Sequence, residues 1–297
     1  MRCQKTRWIN VNDKYLEVPC GKCLACLTNK RNDWAFRLQQ EHKASKGACF
    51  VTLTYHPKFC PDGLNKRHVQ LYMKRLRKQF GKKLRYYCVG EYGTKRQRPH
   101  YHLIIFHYDE ENIRFSTTQI TEAWSTREGE SFGIVDIRPL NYARIMYATK
   151  YVIQRGNEND KYLSKPFMLC SRAYGLGLNY LTDDMARWHR EGKRNYTIQY
   201  GIKARLPRYY KEKLWYPARK PIIGDVYRNK PARNGYREHP DRRILSALSL
   251  AESQKSEQEN RWLIMEAGYK NPDAIIKEMR DALESRILQK VAYTQIL

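Results

Sequence analysis

The stretch RPHYHLIIF, residues 98–106, decides the fold. Alternate residues of a β-strand point to the same face, so His100 and His102 project together from one strand. Two adjacent imidazoles suit a divalent metal; a polar sheet face that happens to carry histidines is the plainer alternative. Downstream, YATKY (147–151) sets Tyr147 and Tyr151 one helical turn apart. A histidine pair on a strand with a tyrosine pair on a helix points to phosphodiester chemistry, with tyrosine as the attacking group.

Working outward, CFVTLTY (49–55) alternates Val51, Leu53 and Tyr55 against Thr52 and Thr54 and reads as a strand. Asn65 can cap a helix reaching about Phe80, with Val69, Met73, Leu76 and Phe80 at helical spacing and Gly81 as the stop. LRYYCVGEY (84–92) reads as a second strand and HYHLIIFHY (100–108) as a third, joined by the short basic link GTKRQRP (93–99). A weaker helix around TTQITEAW (117–124), a strand FGIVDIR (132–138) and a helix YARIMYATKYVIQ (142–154) follow. The resulting βαββαβ order plus one helix predicts an α+β fold. It resembles a ferredoxin-like or RRM-like antiparallel sheet with helices on one face.

If the second and third strands form a hairpin, Glu91 sits beside the two histidines. A His-His-Glu set leaves coordination positions for water and a substrate oxygen and suits Mg²⁺ or Mn²⁺, although imidazoles also accept zinc. On a helical wheel, Ile145, Ala148, Thr149 and Val152 share one arc, and Tyr147, Lys150 and Tyr151 the opposite one. A phenol ionises near pH ~10, so attack needs help, which a metal and Lys150 would give. Attack on a phosphodiester keeps the ester bond energy in a 5′-phosphotyrosine link and frees a 3′-hydroxyl. No glycine-rich phosphate loop ending in Lys-Ser or Lys-Thr is found, consistent with a step that needs no nucleotide cofactor.

The 297 residues carry 56 Lys and Arg against 30 Asp and Glu, a formal charge of +26. Such self-repulsion calls for a polyanionic partner, and nucleic acid fits best. No apolar run approaches the ~18 residues of a membrane span, and MRCQKTRWIN lacks the apolar core of a signal peptide. The protein is therefore expected to be cytoplasmic, in a bacterial host cell. The 23 tyrosines among basic residues suit single-stranded nucleic acid, yet any one of them outside YATKY reads more simply as a half-buried sheet residue. Of eight cysteines, Cys20, Cys23 and Cys26 fall in CGKCLAC. That spacing favours a tetrahedral structural zinc with a fourth ligand from elsewhere. Cys3 is the first candidate and Cys170, Cys49 and His42 are others; redox-reactive or merely buried thiols are the alternative.

FVTLTY, PHYHLIIF and YATKYV occur in the order of the three motifs of HUH endonucleases, and the paired tyrosines resemble rolling-circle replication initiators that carry two. VPCGKCLACLTNKRNDWAFRLQQE (18–41), GEYGTKRQRPHYHLIIF (90–106) and FMLCSRAYGLGLNYL (167–181) look like the initiators of gokushovirus-type microviruses, small phages with circular single-stranded DNA. The resemblance covers about residues 18–181. It implies metal-dependent, site-specific DNA nicking and joining, with metal on His100 and His102 and nucleophiles at Tyr147 and Tyr151. Lys150 matches the lysine between the tyrosines, and Glu91 is the third ligand by analogy. A host helicase and host polymerase are implied, since no ATPase motif is present. The cysteine module departs from the HUH core.

The expected organisation is a Cys-rich module with a helix (1–47), an endonuclease domain (48–199) and a C-terminal region (200–297). Residues 200–240 read as a basic extended segment. From about Asp241 on, helices are expected, the clearest being IIKEMRDALESRILQKV (275–291), with Ile276, Met279, Leu283, Ile287 and Leu288 in an apolar stripe. Lys95, Arg96 and Arg98 in the basic link are candidate DNA contacts. Two other readings were weighed: a relaxase or transposase, which commonly differs in motif order or tyrosine number, and a non-catalytic binder of single-stranded nucleic acid on an RRM-like sheet.

Overall fold

The structure is a computed structural model, and it describes residues 2–11, 14–81, 84–93, 97–106, 113–154, 164–199 and 202–215. The expected helix at 275–291, most of the basic 200–240 segment, and Lys95 and Arg96 lie outside the described residues. Two compact units are present. One is Trp34–Tyr180; the other joins the described residues up to Asp33 with those from Leu181 on.

The first unit is built on a five-stranded sheet: β3 (Ala48–Leu53), β4 (Arg85–Tyr92), β5 (Pro99–Phe106), β6 (Val135–Pro139) and β7 (Phe167–Cys170). Their order is β6-β3-β5-β4-β7, and every neighbouring pair is antiparallel. Helix α2 (Lys66–Phe80) crosses from β3 to β4, and α3 (Ile113–Glu122) from β5 to β6, so the expected βαββαβ succession is present. Helix α4 (Tyr142–Gln154) follows β6, and α1 (Leu24–Ala44) precedes β3. The local causes are plain at α2. The Asn65 side chain accepts from the backbone N–H groups of Arg67 and His68 at 2.9 and 3.3 Å, which satisfies two orphan donors of the first turn. Val69, Tyr72, Met73 and Leu76 form its buried stripe, and Gly81 ends it at φ +90°, open to glycine at no steric cost.

Helices cover both faces of the sheet, not one. On the first face, Val51, Leu53, Cys88, Tyr101, Leu103 and Ile105 pack with α2 and with Ile120, Ala123 and Trp124. On the second, Phe50, Tyr87, Val89, Ile104 and Phe106 pack with Ala35 and Leu38 of α1 and with Ile145, Ala148 and Tyr151 of α4. The reason lies in LIIF, residues 103–106, which is an apolar run rather than an alternation. Both its faces are fully buried, and a strand apolar on both sides needs cover on both.

Long-range polar bonds fix the layers. Arg75 of α2 donates to the carbonyl oxygens of Ala123, Ser125 and Thr126 at 3.1, 2.7 and 3.1 Å. The Trp124 indole donates to the Thr54 carbonyl at 2.8 Å. At the far end of the second face, Arg85 meets the fully buried Glu41 at 3.0 Å, and Glu41 also accepts from the Gly177 N–H at 2.8 Å. A buried carboxylate needs such partners, since leaving it unpaired costs several kcal/mol. The glycines of SRAYGLGLNYL mark this close approach: Gly175 and Gly177 have φ of +62° and +79°.

The second unit contains the hairpin β1 (Arg7–Val11) and β2 (Lys14–Val18), then α5 (Asp183–Glu191), the strand pair β8 (Tyr196–Gln199) and β9 (Ile202–Arg205), and α6 (Arg208–Trp215). The described part of the segment expected to be extended is thus a strand and a helix. Its prolines and cations do not prevent this, because Pro207 precedes α6, where a missing N–H costs nothing, and Arg205 is held by the Asp33 carboxylate at 2.6 Å. Among the described residues, no helix is long and apolar enough to cross a membrane.

Candidate active site and cysteine centre

Register places Glu91 directly across from His100, and Val89 across from His102. Cross-strand partners share a face, and His102 lies two residues along from His100. All three therefore face the second helical layer, at the open end of the β4–β5 hairpin. Helix α4 covers that end. Asn141 caps it, its side chain accepting from the Arg144 N–H at 2.9 Å, and Ile145 and Ala148 pin it to the apolar part of the sheet.

Packing of α4 brings Tyr151 over the polar end. Glu91 Oε1 accepts from His102 Nε2 at 2.7 Å and from the Tyr151 hydroxyl in a short bond. The Tyr151 hydroxyl lies 3.2 Å from that of Tyr147. His102 stacks on Tyr151, with ring centroids 5.9 Å apart and planes 11° from parallel, and meets Tyr147 edge-on at 5.1 Å. Lys150 Nζ sits 3.8 Å from the Tyr147 ring centroid and 4.8 Å from that of Tyr151. His102, Lys150 and Tyr151 are all buried. Segregation of the tyrosine and lysine arc on the wheel therefore marks a face packed on the polar end of the sheet, not a solvent face.

Two contacts orient the imidazoles. His100 Nδ1 lies 2.7 Å from the Arg98 carbonyl oxygen, which only accepts, so Nδ1 carries the proton and Nε2 keeps the lone pair. Thr52 Oγ1 lies 3.2 Å from His102 Nδ1, and a hydroxyl serves either tautomer. Gly93 makes room: a β-carbon there would lie 2.7 Å from His100 Cε1. Thr52 and the Arg98 carbonyl were not singled out from sequence. Thr52 was within reach, since it lies in a predicted strand and pairs with His102 once the register is known.

Burial sets the electrostatics. It pushes the Tyr147 phenol up; the Tyr151 hydroxyl opposes that and the Glu91 charge adds to it. Burial, then Glu91, push Tyr151 up as well. Burial lowers the Lys150 ammonium to about 8, against the pull of Glu91. Both phenols are therefore protonated at neutral pH, with a nearby cation and one carboxylate in hydrogen-bond reach of Tyr151.

Two imidazoles and a carboxylate on one face fit a divalent ion in donor type. The lone pair of His100 is on the atom not tied to the backbone, as in ligating histidines. Their spacing is wider than that of a closed metal group. Among the described residues, the one group of three or more cysteine, histidine or acidic side chains with all ligand atoms within 4.8 Å of one another is Cys3, Cys20, Cys23 and Cys26.

That quartet could hold a metal such as zinc. Tetrahedral Zn–S bonds of about 2.3 Å place sulfurs about 3.8 Å apart, and Cys3 and Cys23 sulfurs are 3.8 Å apart. Cys3 takes the fourth place; Cys49 and Cys170 lie instead in strands β3 and β7 of the other unit, and His42 late in α1. Burial raises the Cys20 thiol, but N–H groups of Lys22 and Cys23, 3.4 and 3.3 Å from its sulfur, outweigh that and bring it down to about 6. A thiolate is the ligating form. Of the candidate DNA contacts, Arg98 is described, half-buried at the start of β5.

Residues 48–155 match a family model for replication-associated proteins of the ORF2 type. That match covers the sheet from β3 on as far as α4, with its crossovers, hence every residue of the site. The class defined is thus that of phage replication-associated proteins. Within it, the chain belongs with the microvirus-type proteins. It is 27% identical over 271 residues to replication-associated protein ORF2 of Spiroplasma virus 4, covering 84% of this chain and 82% of that protein. It is 26% identical over 221 residues to replication-associated protein ORF4 of Chlamydia phage 1, spanning 66% of this chain and 53% of that protein. Replication-associated protein VP4 of Bdellovibrio phage phiMH2K is 26% identical over 225 residues, 68% of each chain. No solved structure matches.

Proposed function

We propose that this chain nicks and rejoins single-stranded DNA by tyrosine transesterification, initiating rolling-circle replication. The observation that carries this reading is the chain of contacts from Tyr147 through Tyr151 and Glu91 to His102. It gathers two phenols, a carboxylate and an imidazole from three elements. A purely structural face would have no use for a buried lysine between two buried phenols, which costs desolvation.

In the step, a tyrosine Oη attacks a backbone phosphorus, and the bond from phosphorus to the 3′ oxygen breaks. The phosphate stays on the 5′ side as a phosphotyrosine ester, and the departing oxygen takes a proton and becomes a 3′-hydroxyl. One phosphoester is exchanged for another, so no nucleotide cofactor is consumed. Glu91 accepts the hydrogen bond of Tyr151 and can take its proton as attack proceeds. Lys150 lies against both rings, where its charge favours phenolate and the negative charge developing on phosphorus. Glu91, His100 and His102 would hold Mg²⁺ or Mn²⁺, which when bound supplies Lewis-acid polarisation of a phosphate oxygen. With two tyrosines, one can be esterified while the other attacks, as rejoining a unit-length circle requires.

An origin-bearing single-stranded oligonucleotide with Mn²⁺ tests this. A covalent adduct is expected, and mass spectrometry of the DNA-linked peptide should identify Tyr147 or Tyr151. An adduct on any other residue overturns the assignment. The structural role of the cysteine centre is tested separately, by metal analysis of protein purified without chelator. About one zinc per chain is expected, and none, with intact folding, would remove zinc from the reading. Host helicase and polymerase remain the partners this cycle needs.

A further inference from the structure

The β1–β2 hairpin is not used by the chemistry above, yet it carries the most conspicuous exposed side chains of the second unit. Trp8 is 66% exposed and Tyr15 is 71% exposed. Trp8 pairs across the ribbon with Glu17, and Asn10 with Tyr15. Trp8 and Tyr15 are therefore diagonal neighbours on one face, roughly 7–8 Å apart in such pairs. The opposite face takes Val18, which is buried. Lys5 and Arg7, both exposed, flank Trp8. The one carboxylate on the aromatic face, Glu17, already accepts the Thr6 hydroxyl at 2.5 Å.

A two-stranded hairpin alone is marginal in water, and this one is tied at its open end. Cys3 precedes β1 and Cys20 follows β2, and the Cys20 N–H donates to Cys3 Sγ at 3.2 Å. The cysteine centre thus clamps the base of a ribbon that holds out two aromatic rings.

We propose that this clamped ribbon is a second single-stranded DNA contact, in which Trp8 and Tyr15 stack on bases while Lys5 and Arg7 meet phosphates. Every base has a π-face, so stacking on rings beside cations binds single strands without regard to sequence. The chain's formal charge of +26 selects a polyanion over an apolar partner for this face. The choice of DNA as ligand rests on the nicking reading; the aromatic surface and its clamp do not.

The test uses the full chain with Tyr147→Phe and Tyr151→Phe, which holds DNA without reacting, and a labelled single-stranded oligonucleotide titrated by anisotropy at several salt concentrations. Adding Trp8→Ala and Tyr15→Ala should weaken binding at least about ten-fold, with the slope of log K against log salt unchanged. Arg7→Ala should instead reduce that slope by about 0.7. Trp8→Tyr, which keeps a ring, should restore most of the affinity. In the otherwise wild-type chain, the Trp8→Ala/Tyr15→Ala pair should leave the rate of adduct formation at saturating DNA unchanged. Emission from Trp8, obtained by difference against Trp8→Phe, should be that of an exposed indole and be quenched by DNA. Equal affinities with and without the rings would overturn the proposal. So would a Trp8 emission already that of a buried indole and unmoved by DNA, since another part of the chain would then cover the face. A wild-type protein that makes no adduct would defeat the nicking reading while leaving these binding measurements to stand or fall alone.

Discussion

One strand supplies both faces of the central sheet, and the faces do opposite things. From β5, Tyr101, Leu103 and Ile105 enter a packed aromatic and aliphatic layer with Tyr55, Trp124 and Phe167. There the polar atoms are paired within the layer: Tyr55 hydroxyl with His68 Nδ1 at 2.8 Å, Tyr101 hydroxyl with the Asn65 N–H at 2.7 Å. From the same strand, Phe106 and Ile104 begin the other face, and His102 and His100 end it. That face grades from hydrocarbon to ionisable groups within four alternate residues. Its polar end is packed as tightly but paired around one carboxylate, Glu91. The lesson is a division of labour: one face stabilises, and the end of the other holds groups at pKa values that burial has moved. Changes on the two faces should therefore separate chemistry from stability.

The sharpest break is Tyr147→Phe with Tyr151→Phe. The rings and their packing remain, so cooperative unfolding should persist, while covalent adduct falls to nothing detectable on a denaturing gel. Adduct in the double variant would mean that the polar end is not where reaction occurs. On the opposite face, Leu103→Ala should cost about 2–5 kcal/mol, read as a lower urea midpoint at unchanged slope. Adduct yield per folded molecule should stay near wild type below the transition. If Leu103→Ala instead abolished adduct while leaving the midpoint intact, the division between faces would fail.

A smaller change probes the seam between them. Thr52→Val removes the hydroxyl 3.2 Å from His102 Nδ1 and keeps the shape of the side chain. Loss of such an orienting partner typically weakens metal affinity about 10–100-fold. Calorimetric Mn²⁺ binding should show that drop, and the stability read from the urea midpoint should move by no more than about 1 kcal/mol. Unaltered Mn²⁺ affinity would detach Thr52 from the site.

Much of this was legible in the sequence because it is local. The Asn65 cap, the stripe of α2, the β4–β5 hairpin through a turn-prone link, and the i, i+2 histidines each need only a few neighbouring residues. The hairpin then put Glu91 beside the histidines. What was not legible depends on distant pairing. β7 joins the sheet through Gly90–Phe167 and its neighbours, and FMLC carries no alternation to announce it. Cover on both faces follows from the run LIIF, whose two-sided burial resembles any short apolar stretch until its neighbours are known. The wheel separated Tyr147, Lys150 and Tyr151 correctly from the apolar arc. It could not say that a polar sheet end would bury them, because that end is made 45 to 60 residues earlier in the chain.

The smallest effect sharpens the comparison from the stable face. His68 stacks on Phe132 at 4.6 Å, bonds to the Tyr55 hydroxyl and lies near Trp124 and Arg75. Burial, then the Arg75 charge, lower its pKa. A folded state that disfavours the imidazolium binds fewer protons than the unfolded chain, so stability from His68 is complete above the unfolded value near ~6.5 and is lost as pH falls below it. His68→Phe keeps a ring against Phe132 and removes the titration. The urea midpoint of the wild type should therefore decline more steeply between about pH 7.5 and 5 than that of the variant. The variant should start lower at the alkaline end of that range, where the bond to Tyr55 is missing, and the two curves should converge on acidification. Parallel curves would mean that the proton taken up by the unfolding chain goes elsewhere. His189 would be the next group to examine, since burial lowers it too and its Nδ1 is held by the Arg194 carbonyl at 2.7 Å in the other unit.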